Sequence, residues 1–348
     1  MRILAAPDKF RGTATAAEVA DTIAMAARDL GHVAETLPMA DGGEGTLEAL
    51  GGATEVSMVT GPDGIPREAH WRLSEGTAVI EMARASGLAL LPGGINDPLT
   101  ATSAGTGELI REAFERRART VIVTMGGSAT TDGGLGALNE MGAIPGGAEL
   151  IVVCDVETRF KDAARDFGPQ KGASPEQVAE LTERLEDLEA EYLDRFGVNV
   201  SNMVGSGAAG GLAGALLAAG GTLHRGFDYV AGMLNLDAAI ERADIVLTGE
   251  GLLDSQSFKG KVVGGVAATA RMRGVSIAAV VGSVAPGFAA PIRARSLVET
   301  VGPAAAMEET LSAVREAATL VIADLAQAHG QNPQLPRLTP TKAKRLPA

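Results

Sequence analysis

Residues 243–261 read ADIVLTGEGLLDSQSFKGK. Ile245 to Thr248 form an apolar run of the length of a buried strand. The run is expected to break at Gly249-Glu250-Gly251 into a loop bearing Asp254, Gln256, Ser257, Lys259 and Lys261. In open α/β sheets, ligands bind outside the carboxyl ends of the strands. Carboxylates, hydroxyl and amide donors and ammonium groups gathered at such a point suit an anionic, metal-bridged substrate such as a nucleotide phosphate.

Similar short apolar runs recur along the chain and alternate with amphipathic stretches, which predicts βαβ units and a largely parallel sheet. Strands are expected at 2–6, 77–82, 120–125, 150–154, 244–248 and 276–281. Thr15 and Glu18 have capping-box spacing ahead of a stripe of Val19, Ile23, Ala26 and Leu30. Ser174, Pro175 and Gln177 open a second helix that runs to Phe196, with Val178, Leu181, Leu185, Leu188 and Tyr192 on one face. A last helix is expected from about Glu308 to His329 with Gly330 just beyond it, followed by a Pro-rich basic tail, 331–348, that lacks periodicity and reads as disordered.

Composition narrows the function. The 348 residues are 46% hydrophobic and 21% charged, enough for two domains with aliphatic cores. Aromatics make up 3% and the formal net charge is −13, so base-stacking surfaces and general binding to nucleic acid or anionic membrane are not expected. No stretch reaches the roughly 18 continuous apolar residues of a spanning helix. The single cysteine, Cys154, sits in the apolar run LIVVCD and reads as a buried thiol in a reducing compartment, so a cytoplasmic location is expected.

Five glycine-rich clusters carry the chemistry: APDKFRGT (6–13), ADGGEGT (40–46), GGSATTDGG (126–134), FGPQKGA (167–173) and the 249–261 loop. Glycines there let backbone N–H groups approach a ligand, and successive N–H groups form anion-binding nests. Structural turns have no need of the acids and bases these clusters also hold. No GxxxxGK[ST] is present, and the one GxGxxG, Gly205 to Gly210, lacks a good preceding strand. Its alternatives are close helix packing through small residues or amides that hold part of a substrate. There is no H-E-x-x-H or Cys/His pattern, so any divalent metal should be oxygen-bound, with Mg²⁺ bridging phosphates to one or two carboxylates the expected case.

Taken in order, these clusters resemble the bacterial glycerate kinase family of the type that makes 2-phosphoglycerate, from Ile3 to about Leu325. The family's APDSFKGS is matched at Asp8, Phe10 and Gly12, with Arg11 in place of Lys, and its ADGGEGT is matched at Asp41, Gly42, Gly43, Glu44 and Gly45. IEMARASGL (80–88) and SAGTGELI (103–110) are similar to further family segments, and GGSATTDGG departs from GGSATNDGG at Thr131 alone. FGPQKGA is identical, GSGAAGGLAGALL is close to its counterpart, and the 248–261 loop fits TGEGxxDxQSxxGK. Three departures stand near the expected substrate cleft and bear on the acceptor: a shortened segment after Ala143, VETRFKDAARD before FGPQKG, and Val263 where the family has proline.

The resemblance implies an α/β protein of two domains: a discontinuous Rossmann-like parallel-sheet domain (1–57 and 243–330) with a second α/β domain (58–242) inserted, and a cleft where the connections cross. It also implies ATP-dependent phosphorylation of D-glycerate, favouring the 2-hydroxyl. Catalytic candidates are Asp8, Asp41, Glu44, Glu250, Asp254 and Lys261, with Asp41 and Asp254 as Mg²⁺ ligands. Lys9, Arg11, Lys171, Gln256 and Ser257 are candidates for substrate, an Arg fork suiting a carboxylate. Gly126, Gly127, Ser128, Asp132, Gly207 and Gly210 are candidates for nucleotide phosphate, although Asp132 and Asp155 could instead cap turns. The rival readings are a kinase for another small hydroxy acid and a non-catalytic glycerate or nucleotide sensor.

Overall fold

A computed structural model describes residues 1–331; the tail from 332 on lies outside the described residues. In chain order the strands are β1 Arg2–Ala5, β2 Val33–Thr36, β3 Glu55–Thr60, β4 Pro66–Ser74, β5 Thr77–Glu81, β6 Thr120–Thr124, β7 Glu149–Cys154, β8 Thr222–Arg225, β9 Ile245–Leu253, β10 Ser276–Val284 and β11 Arg293–Ser296. The chain divides into two compact units, Met1–Met39 with Leu234 onward, and Ala40–Met233. Strand β3 runs across position 57/58 as part of the second unit's sheet, and the helix Leu236–Arg242 falls in the first unit. The mixed α/β class is as the sequence implies.

The first unit holds a five-stranded sheet in the order β11-β10-β9-β1-β2, every pair parallel. Counted within the unit, the order is 2-1-3-4-5, one of the two common doubly wound arrangements, and its topological switch point lies between β1 and β9. Both faces are covered. Ile3, Ala5, Ile245, Leu247, Ala278 and Val280 pack on Val19 and Ile23 of the helix Ala16–Asp29 and on Val314 and Val321 of the helix Thr310–Gln331. Ala279, Val281 and Leu253 face the other way, onto Val263 and Ala267 of the helix Val262–Met272. Strands buried on both faces lose polar alternation, which is why β1, β9 and β10 read as continuous apolar runs.

Two expectations need correction here. Strand β9 does not break at Gly249 but continues to Leu253, because β10 is equally long and pairs Gly249 with Val280 and Glu250 with Val281. A Cβ at Gly249 would stand 2.2 Å from the Val280 carbonyl oxygen, so this glycine permits close strand pairing and does not mark a turn. The last helix likewise does not stop before Gly330 but runs through it to Gln331.

The second unit holds a six-stranded sheet in sequential order β3 to β8, antiparallel across β3-β4-β5 and parallel from β5 to β8. Ile80, Val121, Val123, Val152 and Cys154 face a large core with Leu109, Leu185 and Tyr192; Val79, Ile122 and Val153 face Leu47 on the other side. The helix Pro175–Phe196 has the expected capping box of Ser174 with Gln177 and buries Leu181, Leu185 and Tyr192. The Tyr192 hydroxyl donates to the Gly133 carbonyl (3.0 Å), tying this helix to the loop after β6.

Candidate functional site

In the first unit the chemistry collects at the switch point. After β1 the chain stays beside β9: Ala6 N–H donates to the Leu247 carbonyl (2.7 Å) and Asp8 N–H to that of Gly249 (2.8 Å). The loop then closes on the buried Phe10, whose N–H bonds the Ala14 carbonyl (2.8 Å), while Arg11 remains exposed and Lys9 half-buried. Asp8 is thereby placed next to the residue that precedes Glu250. The Glu250 carboxyl is half-buried, and its Oε1 has no hydrogen-bond partner among the described residues. Burial pushes its pKa up to about 7, and the negative charges of Asp8 and Asp254 add to this; the Ser257 hydroxyl and the Lys261 ammonium pull the other way.

The turn after β9 is organised by Asp254. Its Oδ1 accepts the N–H groups of Gln256 (2.7 Å) and Ser257 (3.2 Å), while its own N–H donates to the Ser257 hydroxyl (2.9 Å). This closed turn leads through a 3₁₀ segment, Gln256–Phe258, to Lys261, the N-cap residue of the helix Val262–Met272. An exposed ammonium at a helix N-terminus is well placed for phosphate. Ser257, a candidate for substrate, is buried, and its hydroxyl accepts the Asp254 N–H (2.9 Å) and approaches Asp254 Oδ1 (3.4 Å), so it is engaged within this turn. Gln256 is exposed.

In the second unit the ADGGEGT loop lies on the carboxyl ends of the parallel strands. A Cβ on Gly42 would meet Val153 Cγ1 at 2.6 Å, one on Gly126 would meet Gly43 Cα at 2.9 Å, and one on Gly226 would meet the Asp41 carbonyl oxygen at 1.8 Å. These glycines therefore allow three backbone segments to stack where Asp41 and Glu44 emerge, Asp41 half-buried and Glu44 exposed. Asp41 Oδ1 accepts the Gly43 N–H (3.2 Å), and Asp155 Oδ1 accepts that of Gly226 (2.7 Å), so Asp155 caps the helix Gly226–Met233. Beside them, Gly126 and Gly127 follow β6, Gly127 at φ +76°, and Ser128 is buried at the rim.

Three candidates in this unit turn out to be architectural. Asp132 spends Oδ1 on the Gly134 N–H (3.0 Å) and Oδ2 on the N–H and hydroxyl of Ser103 (2.8 and 2.7 Å), so it joins two helix starts. Gly207 donates its N–H to the Thr158 carbonyl (3.0 Å), and a Cβ there would lie 2.3 Å from the Arg159 carbonyl oxygen. Gly210 sits at φ +68° with the Thr130 carbonyl oxygen 2.0 Å from where a Cβ would be. Residues 205–211 are buried throughout, so the GxGxxG is a packing device, the alternative reading of that motif.

Lys171, a candidate for substrate, is only 4% exposed. Its Nζ donates to the Thr130 carbonyl (2.6 Å), and Asn96 Nδ2 bridges the carbonyls of Ala129 (2.9 Å) and Lys171 (3.0 Å). Burial lowers its pKa to about 7, with Asp132 opposing. The folded chain thus gives up this proton near pH 7 whereas the unfolded chain holds it to about 10.5, so stability from this group should rise as pH climbs from about 7 to 10.5. Lys171→Met should abolish that rise, which urea unfolding at pH 7 and pH 10 would show; an unchanged pH dependence would mean that Lys171 stays charged in the fold.

Among the described residues, no three His, Cys, Asp or Glu side chains cluster as a metal cage, and no helix is long and apolar enough to cross a membrane. Cys154 is buried, and burial raises its pKa to about 11. The segment Gly142–Ala148 joins the helix Leu135–Met141 to the start of β7, at the opposite end of that strand from Asp155. The shortening after Ala143 is therefore away from the strand ends that carry the acids, contrary to expectation. The VETRFKDAARD segment does follow the carboxyl end of β7 and buries Phe160 in the core.

The model of the glycerate kinase family matches residues 3–149 and 144–329. Glycerate 2-kinase of Escherichia coli K12 is 39% identical over 326 residues, covering 82% of this chain and 86% of the relative. Glycerate kinase of Bacillus subtilis 168 is 36% identical over 326 residues, covering 82% and 85%. A crystal structure named for glycerate kinase 2 of Salmonella typhimurium LT2 superposes with a TM-score of 0.80 at 35% identity, covering 95% of this chain and 99% of that one.

Proposed function

Because the chain belongs to the glycerate kinase family and is a phosphotransferase, we propose that it moves the γ-phosphoryl group of ATP to the 2-hydroxyl of D-glycerate, giving 2-phosphoglycerate and ADP. The observation that carries the assignment of roles is Glu250: a carboxylate at the switch point, its Oε1 without a partner, holding its proton to about pH 7. A general base is most effective when its pKa lies near the working pH. In this reading Glu250 takes the proton of the glycerate hydroxyl as that oxygen attacks the γ-phosphorus. The bond from phosphorus to the β–γ bridging oxygen breaks, and ADP leaves with the electron pair.

The remaining residues position and neutralise charge, which is most of what phosphoryl transfer demands. Lys261 at its helix start meets phosphate oxygens, and Arg11 with Lys9 binds the glycerate carboxylate. Within the second unit, Gly126, Gly127 and Ser128 carry backbone and hydroxyl donors of the kind that suit phosphate oxygens. The chemistry of the donors fits Mg²⁺: Asp254 in the first unit and Asp41 in the second each carry hard carboxylate oxygens of the kind that would hold this ion. When bound, the ion would offset the charge of the phosphates. Asp254 already commits Oδ1 to two backbone amides, which leaves its other oxygen for that task. The lone, buried Cys154 thiol supports a cytoplasmic setting.

ADP release measured with Mg-ATP and a panel of small hydroxy acids tests the reading. D-glycerate is expected to give the highest kcat/KM. Faster turnover of another hydroxy acid would transfer the assignment to that acceptor, and glycerate binding without ADP release would leave a sensor.

A further inference from the structure

The motif IEMARASGL has no role in the reaction described above, yet it contains the most heavily used buried carboxylate of the second unit. Glu81, the last residue of β5, is 1% exposed. Its Oε1 accepts two backbone N–H groups of the ADGGEGT loop, those of Gly45 (2.8 Å) and Leu47 (2.9 Å). Its Oε2 is held by Arg84 Nε (3.0 Å), and Arg84 reaches on to Glu48 Oε1 (2.5 Å). From Gly45 and Leu47 the order passes back along the loop. The Thr46 hydroxyl donates to the Gly43 carbonyl (2.7 Å), and the Gly43 N–H donates to Asp41 Oδ1 (3.2 Å). Gly45 sits at φ +92°, a conformation glycine adopts readily, and its N–H is fixed from outside the loop by Glu81.

We propose that Glu81 is the positioning residue of the ADGGEGT loop: its carboxylate pins Gly45 and Leu47 and thereby sets where Asp41 and Glu44 stand for phosphoryl transfer. This inference rests on the kinase reading given above. A burial role alone would not require one oxygen to be shared between two loop amides while the other is fixed by a guanidinium. Misplacement of reacting groups by about 1 Å is enough to cost about 100-fold in rate.

Two substitutions separate position from charge. Glu81→Asp keeps the charge but withdraws the acceptor by one carbon–carbon bond, about 1.5 Å. It is expected to lower kcat/KM for glycerate about 100-fold and to speed hydrogen exchange of segment 43–48 about tenfold, the size of an opening made easier by one lost bond. Glu81→Gln keeps an acceptor oxygen in place and loses the charge; its kcat/KM should stay within about tenfold of the parent chain, with the segment still protected. An aspartate variant that matches the parent chain, or outperforms the glutamine variant, would overturn the proposal. Should the aspartate variant fail to fold, Arg84→Met replaces it. That change leaves both amide bonds intact and should keep kcat/KM within about tenfold, whereas a 100-fold loss would assign the role to the ion pair and overturn the claim. If the parent chain releases no ADP with glycerate, the kinase reading fails, and hydrogen exchange alone still decides whether Glu81 holds the loop.

Discussion

Replacing Glu250 with glutamine is expected to lower kcat by about 10²–10⁴-fold, the usual contribution of a general base, and at the same time to stabilise the fold. The two effects have one origin. Glu250 is held where its charge is poorly solvated, with Oε1 unpartnered, and its pKa stands at about 7 against an ordinary 4.5. Between those values the folded chain keeps a proton that the unfolded chain has released. Stability from this group therefore falls as pH rises from 4.5 to about 7, and the penalty is complete above 7. The difference corresponds to an upper bound of about 3 kcal/mol. Glutamine removes the charge, so the variant should unfold at higher urea than the parent chain at pH 8 and no higher at pH 4.5. The kcat/KM of the parent chain should rise with pH through about 7, and that limb should be missing in the variant. A variant that keeps full turnover would place the base elsewhere in the cluster, at Asp8 or Asp254.

Gly210→Ala should destabilise the second unit by about 2–5 kcal/mol, combining the cost of overpacking with that of a side chain at positive φ. The added methyl would point at the Thr130 carbonyl oxygen from 2.0 Å and at Thr131 Cα from 2.7 Å, both backbone atoms that have little room to move. Gly197→Ala is the matching control: φ is +69° there as well, but nothing lies within 4 Å of the new Cβ, so only the backbone strain of about 1–2 kcal/mol should appear. Thermal unfolding of the two variants separates the terms. If Gly210→Ala keeps its stability and loses nucleotide affinity, the GxGxxG wraps a ligand after all, and its assignment as a packing device is wrong.

The sequence exposes most where physical constraints act locally. The capping box of Ser174 with Gln177 and the stripe ending in Tyr192 mark the helix Pro175–Phe196 to its last residue. Strands buried on both faces, such as β1, β6 and β7, are visible as apolar runs. Strands that lie at sheet edges are less visible: β2, β3, β8 and β11 are short or polar, because one side of each has no neighbour to demand apolar residues. Glycine is the main source of error. Gly249 and Gly210 look like ligand-binding turns, yet each is small because another backbone passes close by, which only tertiary structure reveals. Asp132 and Ser257 have the chemistry of site residues, but their hydrogen bonds are spent within the protein. Glu81 is the converse. Nothing in its local sequence distinguishes it from any acid at a strand end, and its two amide partners lie more than thirty positions away.

Phosphorylation of glycerate at its 2-hydroxyl is tested most directly by ³¹P NMR of the product formed from D-glycerate and Mg-ATP by the purified chain. The phosphorus signal is expected to couple to the single proton on C2, with ADP appearing in equal amount. Coupling to the two protons of C3, or intact ATP beside bound glycerate, would contradict it.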